Sequence, residues 1–315
     1  GYALEGALAL GAGTLSVGVD GHLADHDADI HDPANPGFFV RNFNAVERDR
    51  HGVFGEWRGD LAAGWSGELG LRYHRVAADA GAVDGTPARM MAGPRILRDR
   101  FNAADRDRTE HNVDWVAKLA YAATPELSLE AGLARKTRAP SYQERYLWLP
   151  LEATAGLADG NRYVGDVALD AETSHQLELG LEWRRADAYL APRAFYYRID
   201  DYIQGVPATD PVVRMVSAAN GDPTPLRFAN VEAEIYGLDA EAGAALGRRW
   251  RLHGVLSVVR GERRDIDDNL YRIAPPNLTL ALTHHRPRWS LTAESVLYAG
   301  QERVADSNDE QETGG

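Results

Sequence analysis

Leu127-Ser128-Leu129-Glu130-Ala131-Gly132-Leu133-Ala134 sets apolar Leu127, Leu129, Ala131 and Leu133 against Ser128, Glu130, Gly132 and Ala134 in strict alternation. Side chains on a strand point to opposite faces in turn, so this stretch has one apolar and one polar face. On a helix the same i, i+2 spacing would scatter around the axis and form no stripe. Immediately upstream, Thr124-Pro125-Glu126 offers a tight turn, and before it Val113, Trp115, Ala117, Leu119 and Tyr121 alternate with Asp114 and Lys118. The two runs and their turn read as a β-hairpin.

The unit recurs in both directions. Val53, Gly55, Trp57 and Leu61 face away from Glu56, Arg58 and Asp60, and Leu69, Leu71 and Tyr73 face away from Arg72 and His74. Downstream, Leu177, Leu179, Leu181 and Trp183 alternate with Glu178, Gly180 and Glu182. Trp250, Leu252, Leu256 and Val258 alternate with Arg251, His253 and Ser257, and Leu278, Leu280 and Leu282 with Thr279 and Thr283. Short turns fall at 11–13, 64–67, 124–126, 185–187, 247–249 and 286–288, where Gly, Pro and Asp supply the geometry. Long polar stretches fall between them, at 25–46, 78–108, 139–172, 205–228 and, shorter, 262–271. A long–short rhythm of this kind predicts an all-β fold: about a dozen antiparallel strands in meander order, short turns at one end and long loops at the other.

Two architectures fit alternating strands. A soluble sandwich uses strands of ~5–6 residues and does not alternate its loop lengths so strictly. Membrane-spanning strands need ~9–11 residues, short inner turns, long outer loops and aromatic girdles. Trp65, Tyr121, Trp183, Trp250 and Trp289 all lie near short turns, which favours the membrane barrel, because such rings prefer the headgroup zone. Composition agrees: 44% apolar residues exclude a disordered chain. No run of ~18 apolar residues exists, which excludes a spanning helix. A net charge of −13 argues against a nucleic-acid surface, and the lack of cysteine excludes disulfides and thiolate metal sites. Gly1 onward shows no signal peptide and reads as mid-strand, while Asn308 to Gly315 reads as a loop entering a further strand. An open sheet in lipid would leave unpaired edges, so further strands are expected on both sides.

From Ala134 to Tyr146, ARKTRAPSYQERY, the sequence resembles TonB-dependent receptors, whose Arg-x-Pro-x-x-x-Glu segment leaves a strand for a long outer loop; here the matching residues are Arg138, Pro140 and Glu144. Gly160-Asn161, and Leu169 to Gly180 with Glu172, are similar to the family's re-entry into the barrel. Tyr197 to Ile203, Asn230 to Glu241 and Gly300 to Arg303 follow in the family's order. In the stretch from Asn230 to Glu241 the apolar parity slips around Gly237, as at a bulge. The resemblance covers most of residues 112–315. It implies a 22-stranded outer-membrane barrel of a Gram-negative bacterium, of which this chain would be a partial barrel domain. It also implies an N-terminal plug domain through which the TonB energy-transducing complex is contacted; plug, early strands and last strands are expected outside this chain.

Cargo is read from soft and aromatic side chains. Met90-Met91 lies in a long outer stretch in a position similar to a methionine-bearing loop of copper receptors, and Met215 lies in another. Thioether sulfur suits Cu(I). His22, His26 and His31 among Asp25, Asp27, Asp29 and Asp32 offer a second candidate metal site. Tyr142, Tyr146, Trp148 and Tyr163 could instead stack on a sugar. His284-His285 point to opposite faces and make a poor chelate. No enzyme is expected: Ser174-His175 likewise face apart, Ser141 has no nucleophile-elbow context, and Gly11-Ala12-Gly13 opens no helix. The expectation is a receptor importing a scarce nutrient, with copper or another metal complex as candidate cargo and no resident cofactor. Siderophore, haem, cobalamin or oligosaccharide cargo, a passive porin and a soluble β-rich binding module are the alternatives. Its partners are then outer-membrane lipid, TonB and a small-molecule or metal substrate, and no nucleic acid.

Overall fold

The computed structural model describes residues 1–151 and 159–315. Its strands are β1 (Tyr2–Leu10), β2 (Gly13–Asp32), β3 (Asn35–Ala62), β4 (Trp65–Asp79), β5 (Asp84–Gly85), β6 (Arg108–Thr124) and β7 (Leu127–Arg138). Then follow β8 (Tyr163–Val164), β9 (Glu172–Arg185), β10 (Ala188–Pro207), β11 (Leu226–Leu246), β12 (Trp250–Arg263), β13 (Asn277–Arg286) and β14 (Trp289–Tyr298). All belong to one sheet. Twelve follow one another as an antiparallel meander from β1 to β14, while β5 pairs with β3 and β8 with β11 off that path.

The two faces separate as the alternation requires. Leu69, Leu71, Leu133 and Leu179 are 59%, 60%, 51% and 52% exposed on one side. The other side carries charges in cross-strand pairs, such as Arg58 with Glu68 at 2.7 Å, Arg72 with Asp20 at 2.7 Å and Arg193 with Glu130 at 3.1 Å. Among the described residues no second sheet or helical layer covers the leucines. A continuous apolar surface of this extent is stable only against hydrocarbon, and there each inner strand of the meander finds its backbone partners in the strands on either side. At the short-turn end Trp65 stacks on Tyr121 with centroids 4.5 Å apart, and His284 lies between Trp250 and Trp289.

The long connections differ from the sequence expectation. Residues 25–46 are not a loop: β2 and β3 continue as a paired ribbon, reversing only between Asp32 and Asn35. The turn placed at 64–67 is tighter, at Ala63–Gly64, and Trp65 already belongs to β4. Helices α1 (Thr86–Met90) and α2 (Ala92–Ala103) occupy the next outer connection, α3 (Tyr142–Tyr146) the third and α4 (Pro211–Ala219) the fourth. Together these pieces close over a hydrophobic core that includes Val40, Phe43, Tyr146, Trp148, Tyr163 and Phe228. The outer end is therefore a packed cap.

There is no bulge at Gly237, because its register runs unbroken to Phe195 on one side and Val259 on the other. The parity slips for another reason. Ala233 and Ile235 turn inward to pack with Ile199 and Leu270 beneath the cap, whereas Leu238 is 37% exposed on the lipid face. Gly237 itself makes room: a Cβ there would meet Phe195 Cζ at 2.6 Å. The break in register lies elsewhere, between Ile199 and Tyr202, where Asp201 adopts a φ of 60°.

Leu179 lies midway along its strand between Trp183 and His175. Leu179→Arg is expected to destabilise the barrel by ~2–4 kcal/mol in lipid vesicles, the cost of an arginine near the bilayer midplane. Glu130→Gln on the opposite face should change folding in the same vesicles by less than about 1 kcal/mol.

Candidate functional site

The family-like residues assemble into one clamp. Ser141 caps α3: its hydroxyl accepts the Glu144 N–H at 3.2 Å, and the Glu144 carboxylate accepts the Ser141 N–H at 2.6 Å, a capping box. Arg138 grips the same carboxylate in a fork at 2.9 and 3.0 Å, and with its remaining donors grips Glu172 at 2.6 and 2.7 Å. Glu172 also accepts the Ile203 N–H at 2.8 Å. One guanidinium thus ties the strand that leaves the wall, the helix it enters, the strand that returns and the next strand over. Pro140, fully buried, starts the departure, since it has no N–H to continue a ladder.

Gly160, at a φ of 80°, makes the turn before Asn161, whose amide donates to the Tyr271 hydroxyl at 2.9 Å. Arg145, which no sequence pattern singles out, is buried. It pairs with Glu110 on β6 and donates to the Leu169 carbonyl at 2.9 Å. Burial pushes the Tyr146 phenol up to about 12, so it acts as a neutral donor to the Arg106 carbonyl at 2.9 Å.

The candidate aromatics are mostly withdrawn. Trp148 and Tyr163 are 4% and 2% exposed; Trp148 donates to the Arg41 carbonyl at 3.1 Å and Tyr163 stacks on Phe228 at 5.0 Å. A sugar has no access to their faces. Tyr142 is half-buried between His26, stacked at 4.5 Å, and Phe43, edge-on at 4.9 Å. His22, His26 and His31 are strung along the β2 ribbon, His22 and His31 exposed and His26 against Tyr142. Among the described residues no three His, Cys, Asp or Glu side chains converge as a metal site.

The methionines lie on neighbouring helices. Met90 ends α1, Met91 caps the N-terminus of α2, and both are exposed. α4 lies against α2: a Cβ at Gly93 would meet Val216 Cγ2 at 2.7 Å and Met215 Cε at 2.8 Å, so only glycine permits this approach. At the other end of the crossing Arg100 binds Asp210 at 2.7 Å. Asp210 also caps α4, accepting the N–H groups of Val212 and Val213 at 2.7 and 3.3 Å. Burial alone would push its carboxyl up; the two N–H groups and Arg100 outweigh that and hold it below the ordinary 3.8. All three methionines of the chain therefore lie on one exposed helical junction. The Met215 side chain rests against Gly93, two residues beyond Met91.

The sequence family described as TonB dependent receptor-like, beta-barrel, matches residues 1–315, the whole chain. The chain belongs to the TonB-dependent receptor family. Solved receptors share its fold. The copper transporter OprC superposes with a TM-score of 0.73 at 19% identity, over 97% of this chain and 44% of that one. The ferric citrate transporter FecA gives 0.63 at 12% identity, over 97% and 42%. The alcaligin receptor FauA from Bordetella pertussis gives 0.55 at 14%, over 93% and 44%. This receptor chain spans less than half the length of each. No curated protein matches it at a significant level.

Removing Arg138 would leave the half-buried Glu144 and the buried Glu172 without a counter-charge. Because the guanidinium is itself nearly half exposed, the ~3–5 kcal/mol of a buried pair is discounted to about 2 kcal/mol. Arg138→Ala is expected to speed amide exchange at residues 141–147 and around Ile203, leaving the lipid-facing ladder protected. Asp210 has a depressed folded value, so its contribution is complete above the unfolded 3.8 and is lost as pH falls through the folded value. Exchange in α4 should stay slow at pH 5 and rise below about pH 4. Asp210→Ala should already show the fast exchange at pH 7, having lost about 1 kcal/mol of cap.

Proposed function

We propose that this chain is part of the barrel of an outer-membrane importer of a Gram-negative bacterium. TonB energises it through a plug domain supplied by the rest of the receptor, and its cargo is copper or a copper complex. The observation that carries the cargo reading is the junction of α1, α2 and α4, where Met90, Met91 and Met215 offer thioether sulfur on the outer surface. Thioethers favour Cu(I) over harder ions, and the structural likeness to a copper transporter agrees with that chemistry. On this reading the junction captures the ion outside the membrane, and the charged inner wall borders its path.

An iron chelate is the second reading, favoured by the ferric citrate transporter among the structural relatives. The two separate in calorimetry on the full-length receptor. Cu(I) held reduced by ascorbate, or Ag(I) in its place, should bind, and Met90→Leu/Met91→Leu/Met215→Leu should weaken that binding at least tenfold. Indifference to both ions with all three methionines intact would sink the copper assignment. Uptake of ferric citrate or a ferric siderophore by the same receptor would put iron in its place.

A further inference from the structure

Arginine is distributed unevenly around the short-turn end of the wall. The turns from β1 to β2, β3 to β4 and β6 to β7 carry none, and Asp60 and Glu126 lie at or beside them. The turn from β11 to β12 contains Arg248 and Arg249, while Arg286 ends β13 and Arg288 lies in the turn to β14. From Ala242 to Arg260 and from Asn277 to Ala293 there is no acidic residue. In a chain of net charge −13, these two turns reverse the local sign.

The two turns stand side by side. Trp250 lies opposite His284 in the ladder of β12 and β13, and the His285 N–H donates to the Arg249 carbonyl at 2.7 Å. Arg248, Arg249, Arg286 and Arg288 are exposed, and among the described residues none meets a carboxylate or donates a side-chain hydrogen bond. Arginines elsewhere on the wall find acceptors. Arg184, near the end of β9, meets Glu182 at 2.7 Å. Further out on the lipid face Arg75 donates to the Thr109 hydroxyl, Arg135 to the Val113 carbonyl and the Thr173 hydroxyl, and Arg198 and Arg264 pair with Asp200. Asp187, in the turn from β9 to β10, accepts the Ala245 N–H on its carbonyl at 2.6 Å and so borders β11 rather than β13. Arg251 has the inward parity of His253, which meets Glu241, and belongs to the interior.

Next to the four arginines, on the hydrocarbon side, Trp250 and Trp289 flank His284 with ring centroids 4.5 and 5.3 Å from it. Leu246, Leu252, Leu282 and Leu291 are exposed around them. Arg286 has the outward parity of His284 and Leu282 and lies opposite Trp289. Each arginine is one or two residues beyond these rings, at most about 7 Å of extended chain. Indole rings take headgroup height, so the guanidinium groups reach the phosphates of the leaflet at the short-turn end.

We propose that Arg248, Arg249, Arg286 and Arg288 form a docking site for the phosphate of an anionic phospholipid in the inner leaflet, its acyl chains lying along Leu252, Leu282 and Leu291. Guanidinium groups bind phosphate oxygens in paired hydrogen bonds, and clustered arginine beside a membrane selects lipids of net negative charge. The indoles and leucines continue the site into hydrocarbon, which commits the occupant to a lipid rather than an acidic protein or a free anion. The proposal rests on the outer-membrane reading above, in which short turns face the periplasm; that reading fails separately, if the receptor is missing from the outer-membrane fraction.

Native mass spectrometry of the detergent-purified full-length receptor tests it, with phosphatidylglycerol, phosphatidylethanolamine of the same acyl chains and glycerol phosphate as probes. Phosphatidylglycerol should be retained about tenfold more than phosphatidylethanolamine. Arg248→Gln/Arg249→Gln/Arg286→Gln/Arg288→Gln should abolish that preference, while Arg193→Gln on the inward face keeps it. Equal retention of the two lipids, a preference unchanged in the quadruple variant, or displacement of the lipid by millimolar glycerol phosphate would each overturn the site. Binding of a polyglutamate peptide to the receptor in phosphatidylglycerol nanodiscs, lost in the quadruple variant, would assign the surface to an acidic protein instead. If the quadruple variant does not reach the heat-resistant folded form, Arg286→Gln/Arg288→Gln takes its place, and a preference it leaves undiminished overturns the proposal.

Discussion

Hydrocarbon offers no hydrogen-bond partner, so every peptide group that crosses it must find one in the neighbouring strand. That demand fixes the backbone of the whole wall and leaves only the side chains free to respond to depth. On β11 the response is visible within a few residues: Leu238 faces lipid, while Ala233 and Ile235, on the opposite parity, turn inward beneath the cap. The ladder does not change between them. What changes is which side of it is dry. Below the boundary the outside is dry and the inside wet; above it the inside is packed and the outside wet. Cap, wall and girdle are three consequences of one strand geometry meeting different solvents.

The alternation of Leu127 to Leu133 and its repeats is enough to read the meander, because a period of two arises where a strand has one wet side and one dry side. Strand ends are harder to read, since the signal comes from the lipid, and the lipid stops before the strand does. In the 25–46 ribbon both faces meet water or cap, so the pattern dissolves although the pairing continues. The helices escape the same reading despite local signals. Ser141-x-x-Glu144 is a capping box, and Asp210-Pro211 is a cap followed by proline at the first helical position. Both sit in polar surroundings that otherwise resemble loop.

The site divides along the same line. Arg138, Pro140, Glu144 and Glu172 are legible as family residues. Their physical role, one guanidinium shared between two buried carboxylates, needs coordinates, because Glu172 lies 34 residues from Arg138. The meeting of Met215 with the start of α2 depends on a glycine at position 93 and an ion pair between residues 110 apart, which no local pattern encodes. Trp148 and Tyr163 fail as exposed stacking platforms for the opposite reason. A cap this large needs big apolar side chains to exclude water, and it consumes the ones a ligand would have used. The side chains left exposed at the outer end are those on the surface of the helices, while Tyr142, stacked on His26, is only half-buried.

Charge placement follows solvent in the same way. On the inward face, water and neighbouring carboxylates share the work of stabilising each arginine, and an ion pair there contributes little more than the solvent it replaces. At the edge of the hydrocarbon that sharing fails on one side: a guanidinium keeps its charge but loses half its water. Hydroxyl and carbonyl acceptors, as at Thr109, Thr173 and Val113, satisfy its hydrogen bonds and leave its field uncompensated. Further along the same face Arg198 pairs with Asp200, and Arg264 with Asp200 and Glu232, so there the wall itself supplies the counter-charge.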